Sequence, residues 1–235
     1  MTFVSSRNDE NLLVAALPAS EREGLLAVCE AVDLPFRMHL QKAEEPLSHI
    51  WFFRSGVGST VSTMIDGATV ELGTTGREGF IGIPALMGVA EVPQNVFVQI
   101  PGHGLRLSVA KFTDLLDRLP SLRALLLRYT LAFMTQISQG AACNRLHAIE
   151  ARCARWLLMT HDRVDGDHFP LTQEFLGHML GVTRPSVSIA AGMLQKAGYI
   201  RYVRGTIEVI DRQGLESATC ECYGVINREF GRALG

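Results

Sequence analysis

Residues 171–210 read LTQEFLGHMLGVTRPSVSIAAGMLQKAGYIRYVRGTIEVI. Thr172 is placed to cap a helix running to about Leu180, and Gly181 to end it by entering the left-handed region. Val182 plugs the turn. Thr183 caps a second helix with Pro185 in its first turn, where a missing N–H costs little. That helix runs to about Ala197 and stops at Gly198, while the small Gly177 lets the two helices cross closely. Tyr199 to Val209 then alternates about Arg204-Gly205, the pattern of a two-stranded wing. Every part has the spacing of a winged helix-turn-helix.

The second helix divides its faces. On a 100° wheel Val187, Ala190, Ala191 and Leu194 point inward, while Pro185, Ser188, Ile189, Gly192 and Lys196 point outward. Arg184 and Ser186 stand near the N-terminal tip, the part of a recognition helix that meets base edges. Arg184 suits a guanine edge or a phosphate, Ser188 either kind of group, and Ile189 a thymine methyl. Between Thr183 and Gly205 there are four basic residues (Arg184, Lys196, Arg201 and Arg204) and no acidic ones. The candidate DNA-contacting set is therefore Thr172, Gln173, Thr183, Arg184, Pro185, Ser186, Ser188, Ile189, Lys196, Arg201 and Arg204. The local basic window carries this reading, because the whole chain has a net charge of −2.

Upstream, Val164 to His168 reads as a polar hinge. Before it, two stretches have helical spacing: Ser121 to about Gly140, where the glycine can interrupt, and Ala141 to Arg163. Leu146, Ile149, Cys153, Trp156, Leu157 and Thr160 form an apolar stripe on the second. So much apolar helix predicts packing against a second copy of the chain. Val109–Arg118 reads as a shorter helix ended by Pro120. From Val32 to Leu107 short apolar runs alternate with glycine turns, as at His49–Phe53, Gly58–Met64, Thr69–Gly73 and Val96–Ile100. Asp66-Gly67 is a hairpin signal. Many short strands indicate a small β-roll or jelly-roll. Helical spacing returns over Asn11–Ala31, with Ser20 and Glu23 as a capping box. The expected fold is α+β, with a β-roll sensor domain over 1–119, a dimerisation helix over 120–163, and a winged helix-turn-helix with a tail over 164–235.

Hydrophobic residues make up 47% of the 235 and charged residues 20%, a globular composition with ample material for a core. No secretory signal is visible at Met1 to Glu10 and no apolar run of about 18 residues occurs, so the cytoplasm is expected and the membrane is not. Five sparse cysteines argue against a disulfide framework. Cys143 and His147 lie one helical turn apart, a spacing open to a metal or haem but more simply an interface pair. Cys220 and Cys222 have an uncommon ligand spacing, with a redox role as the alternative, so no metal or cofactor is expected. Met159, Met179 and Met193 read as core. No paired carboxylates, nucleophile–base set or cofactor fingerprint points to an enzyme.

The chain resembles the Crp/Fnr family of bacterial regulators over about residues 11–215. The winged helix-turn-helix carries the resemblance most strongly. Ala148 to Leu158 is similar to the end of that family's dimerisation helix, and Gly79-Phe80-Ile81-Gly82 to the loop before the short helix of its cyclic-nucleotide-binding barrel. The resemblance implies a homodimer on a pseudo-palindromic operator of double-stranded DNA. RNA polymerase and a small-molecule effector are the further partners it implies. The pocket departs from the family's nucleotide-binding members: Ile83 and Pro84 follow Gly82 where those members place a glutamate, and Val92-Pro93-Gln94-Asn95 lacks their arginine. Burying a cyclic phosphate without a cation is expensive, so cyclic AMP is not expected to bind tightly and the effector is unidentified. Arg77, Glu78, Ile83, Gln94 and Asn95 are the candidate pocket residues, although the glycine-rich stretch 73–79 reads first as turns. The alternative function is a sensing module that signals through protein partners without DNA.

Overall fold

A computed structural model describes residues 10–235; the expectation about a leader falls mainly on residues 1–9, outside the described residues. The chain opens with two short helices, α1 (Leu12–Ala15) and α2 (Ala19–Leu26). Strands β1 (Glu30–Leu34), β2 (His39–Gln41), β3 (His49–Phe53), β4 (Val57–Thr63), β5 (Thr69–Thr75) and β6 (Phe80–Ile81) follow. After α3 (Ile83–Leu86) come β7 (Asn95–Ile100) and β8 (Gly102–Ser108). These strands form two antiparallel four-stranded sheets, ordered β1-β8-β3-β6 and β2-β7-β4-β5, the expected β-roll. Asp66-Gly67 turns the β4–β5 hairpin, and the Asp66 carboxylate accepts from the Ala68 N–H at 2.9 Å.

The capping box at Ser20 and Glu23 does not form. Helix α2 begins at Ala19, with Pro18 as its N-cap two residues before Ser20, and has no side-chain cap. Glu21 is the capping residue instead, and it caps a different helix: its carboxylate accepts from the Ser121 and Leu122 N–H groups at 3.2 and 3.0 Å. Those donors open α5 (Pro120–Leu146), which follows α4 (Val109–Arg118). A carboxylate there meets both free N–H groups and the positive end of the helix dipole. Strand β1 claims Glu30 and Ala31, so the helical region ends before Ala31.

The long helical stretch breaks at His147-Ala148, not at Gly140, which stays inside α5. Helix α6 (Ile149–His161) restarts beyond the break with Ala148 extended at φ −62°, ψ 152°. Of the expected stripe, Cys153, Trp156, Leu157 and Thr160 are buried within this chain, Ile149 is half-buried, and Leu146, at the end of α5, is exposed. The cover comes from the C-terminal elements. They are β9 (His168–Pro170), α7 (Gln173–Leu180), α8 (Arg184–Lys196), β10 (Ile200–Val203), β11 (Thr206–Val209), α9 (Arg212–Ala218) and α10 (Glu221–Leu234). Helix α6 packs on α8 and α9, while α10 lies along α5. The tail is thus a structural helix, and it removes from solvent much of the surface that sequence periodicity assigned to a partner chain.

Candidate functional site

The helix-turn-helix forms as its residues dictate. The Thr172 hydroxyl accepts from the Phe175 N–H at 3.1 Å, which caps α7. Gly181 ends that helix at φ 64°, a conformation that penalises side chains with a Cβ. Thr183 precedes α8 in extended conformation, but its hydroxyl pairs with Ser186 Oγ at 3.0 Å rather than with the helix backbone. Val187, Ala190, Ala191 and Leu194 are buried as the wheel requires. Met193 is not core; it stands half exposed on the outer face, because 193 falls outside that stripe. Met159 and Met179 are buried.

The outer face of α8 presents Arg184, Pro185, Ile189 and Lys196 to solvent, with Ser186 half-buried. Ser188 is half-buried too, and its hydroxyl donates to the Gln173 side chain at 2.6 Å. That bond ties the recognition helix to the start of α7. The wing is the antiparallel pair β10–β11, extended by β9. Arg204 and Gly205 make its turn with φ 50° and 81°, both in the left-handed region, as a tight hairpin turn of the I′ kind needs. Arg204 is exposed at the tip, whereas Arg201 is held across the ladder by Glu208 at 2.5 Å. Thr172, Gln173, Glu174, Arg184, Tyr202, Arg204 and Gly205 line one open, polar depression between the helices and the wing. Tyr202 braces it: its phenol donates to the Leu171 carbonyl at 2.8 Å, and burial pushes that phenol up to about 12, so it remains a donor.

Residues 151–218 match the family model described as the Crp-like helix-turn-helix domain. The chain has the fold of a Crp/Fnr regulator. No curated protein sequence matches it. Among solved structures it is similar to the c-di-GMP-responsive global regulator CLP of Xanthomonas campestris, at 16% identity, TM-score 0.63, and coverage of 82% of this chain and 99% of that one. FixK2 of Bradyrhizobium japonicum aligns at 13% identity and TM-score 0.64, over 82% and 98%. A CRP-family transcriptional regulator of Thermus thermophilus aligns at 19% identity and TM-score 0.63, over 87% and 98%. At these identities the likeness is one of fold. No helix among the described residues is long and apolar enough to cross a membrane.

A cavity lies between the barrel and α5. It measures about 330 Å³ and its wall includes Phe80, Ile83, Pro84, Gln94, Phe133 and Met134. Among the described residues, no charged side chain lines it. Ile83 and Gln94 stand in the wall as expected. Asn95 does not; its side chain accepts from the Ala43 N–H at 3.0 Å on the sheet edge. Arg77 and Glu78 are not pocket residues either. The turn that carries them faces the hinge, where Arg77 pairs with Asp165 at 2.5 Å and Glu78 with Arg163 at 2.9 Å. Their linear neighbourhood with Gly79-Phe80 concealed this, because the chain reverses direction there.

A second bridge joins the barrel to α6. Glu71 on β5 accepts from Trp156 Nε1 at 2.7 Å and from Ser59 Oγ at 2.6 Å. Burial pushes the Glu71 carboxyl up to about 7, although these two hydrogen bonds and the Arg155 and Arg163 charges pull the other way. Sequence reasoning missed Glu71, and an acid in the middle of a strand was the available signal.

Proposed function

We propose that the protein is a DNA-binding transcription regulator that grips a pseudo-palindromic operator as a homodimer. The observation that supports this best is the depression shared by Arg184 and Arg204, which sets a recognition-helix tip and a wing tip around one polar groove. Arg184 reads a base edge or anchors a phosphate at the helix tip, and Arg204 holds backbone phosphate from the wing. Ser186 and Ile189 flank Arg184, and Lys196 adds charge at the far end of the helix. Arg201 contributes less than its position suggests, because Glu208 neutralises it.

The homodimer reading rests on α5. Leu127, Leu131 and Met134 are 48%, 64% and 54% exposed, at the i, i+4, i+7 spacing of a coiled-coil seam. A second α5 laid on this stripe would cover it with two-fold symmetry. The regulator would then work in the cytoplasm, where its operators lie, and would contact RNA polymerase from the DNA.

The effector of this reading is a neutral, mainly apolar small molecule. A charged phosphate in the cavity would find no cation among the lining residues. Cyclic AMP should therefore leave the melting temperature unchanged.

The test is binding to random genomic fragments over a salt series. The affinity should fall steeply as salt rises, since released counterions drive phosphate contacts. An affinity indifferent to salt would remove the DNA reading and leave a sensing module that acts through protein partners.

A further inference from the structure

The fold brings together four side chains that the sequence holds far apart. Cys143 and His147 lie one turn apart at the end of α5, and Cys220 and Cys222 flank the first residue of α10. Their ligand atoms (three sulfurs and one ring nitrogen) all lie within 4.8 Å of one another. Cys143 Sγ is 3.5 Å from Cys220 Sγ, and Cys222 Sγ is 3.5 Å from His147 Nδ1. We propose that Cys143, His147, Cys220 and Cys222 form a mononuclear tetrahedral site for zinc, with His147 bound through Nδ1.

The distances fit this ion. Zinc–sulfur bonds of about 2.3 Å and zinc–nitrogen bonds of about 2.0–2.1 Å give tetrahedron edges of about 3.8 Å between sulfurs and about 3.5 Å from sulfur to nitrogen. An iron–sulfur cube sets its four thiolates on outer corners, too far apart for a group this tight. All four positions are filled by protein atoms, so the site is closed and structural rather than catalytic.

The surroundings are also those of a metal centre. His147 Nε2 lies 3.4 Å from a Glu221 carboxylate oxygen, which would hold the ring in the tautomer that leaves Nδ1 free to ligate. The Gln139 amide donates to Cys222 Sγ at 3.2 Å, a contact that steadies a thiolate. Cys222 sits in the first turn of the 14-residue α10, whose backbone dipole favours negative charge there.

The charge balance gives a separate argument. Arg155 is buried, its Nε has no hydrogen-bond partner, and its charge acts on Cys143. Arg152, also buried, lies in the same electrostatic neighbourhood. A buried guanidinium needs a nearby anion. Three thiols that lose their protons to a divalent cation leave a centre of net charge −1, which supplies one. Met159 Sδ, at 3.3 Å from Arg155, does not, and the Glu71 carboxyl, which the Arg155 charge also reaches, is pushed up to about 7 by burial and so is only in part an anion.

The experiment uses the full-length protein. As purified, it should carry one zinc per chain by inductively coupled plasma mass spectrometry. Stripped with chelator under reductant and titrated with Co²⁺, it should saturate at one equivalent with the visible bands of tetrahedral cobalt and a thiolate-to-cobalt charge-transfer band. Cys220→Ser and His147→Ala should each weaken cobalt binding by more than the roughly 10–100-fold that an outer contact is worth. Cys29→Ser, in the barrel, should leave it intact. Reduced wild-type protein that takes up no cobalt would overturn the proposal, and needs no variant to fold. So would cobalt spectra unchanged in Cys220→Ser, or a bound metal without the thiolate band.

Discussion

Arg163 and Glu78 form an ion pair in which neither side chain is exposed to solvent. The pair joins the turn after β5 to the residue where the chain leaves α6. Arg163 also donates to the Met159 carbonyl at 2.6 Å and lies over the Phe230 ring, so barrel, α6 and α10 meet at one guanidinium. Glu78 in turn accepts from the Gly76 N–H at 3.0 Å.

Removing one partner strands the other charge in the core. Arg163→Met should therefore lower stability by about 3–5 kcal/mol. Adding Glu78→Gln, which keeps an acceptor for Gly76, should recover part of that loss. Urea midpoints of the two single variants and the double variant measure the coupling, and simple additivity would mean the pair does not act as a unit.

Glu71 makes stability depend on pH in an unusual direction for a carboxylate. Its ordinary value is 4.5 and the folded protein holds it at about 7, so the native state keeps the proton more firmly than the unfolded chain. Its contribution is complete below about 4.5 and disappears as the pH rises through about 7. Glu71→Gln should flatten the fall in urea midpoint between about pH 5 and 8. A wild-type slope that survives this substitution would have to arise elsewhere.

The two arginines of the groove should fail differently. Arg184→Ala should cost roughly 1–3 kcal/mol on the best operator and relax preference at one base position. Arg204→Ala should weaken all sequences about equally and reduce the salt slope by about 1. Selection from a randomised operator library, run with both variants, separates these outcomes; identical profiles would contradict the division of labour.

Leu131→Glu places a charge on the exposed seam of α5 without touching the core. It should yield a folded monomer by sedimentation, with unchanged circular dichroism, where the wild-type protein sediments as a dimer. A wild-type monomer at micromolar concentration would itself remove the dimer reading.

The C-terminal motif was legible because its signals are local. Thr172, Gly181 and Gly205 act on their own backbone neighbourhood, and Val187 to Leu194 repeat at the helical period. The β-roll was legible for the same reason, through Asp66-Gly67 and the alternation around it. What escaped were relationships between distant residues. Glu21 caps a helix a hundred residues away, Arg77 and Glu78 turn from the pocket to the hinge, and two unremarkable cysteine spacings close into one cluster. Periodicity did register the apolar stripe of α6, but it cannot say whether a copy of the chain or its own tail covers it.

Met134 belongs at once to the wall of the cavity between the barrel and α5 and to the exposed apolar stripe of α5. An occupant of the cavity and a chain laid on the seam would press on opposite sides of one flexible thioether. Whatever rotamer the first favours, the second must accept or resist, and the preference is mutual. Dilution would then be a stimulus in its own right: breaking the pair would change the hold on an occupant by the same factor, and in the same sense, as losing the occupant changes the pairing.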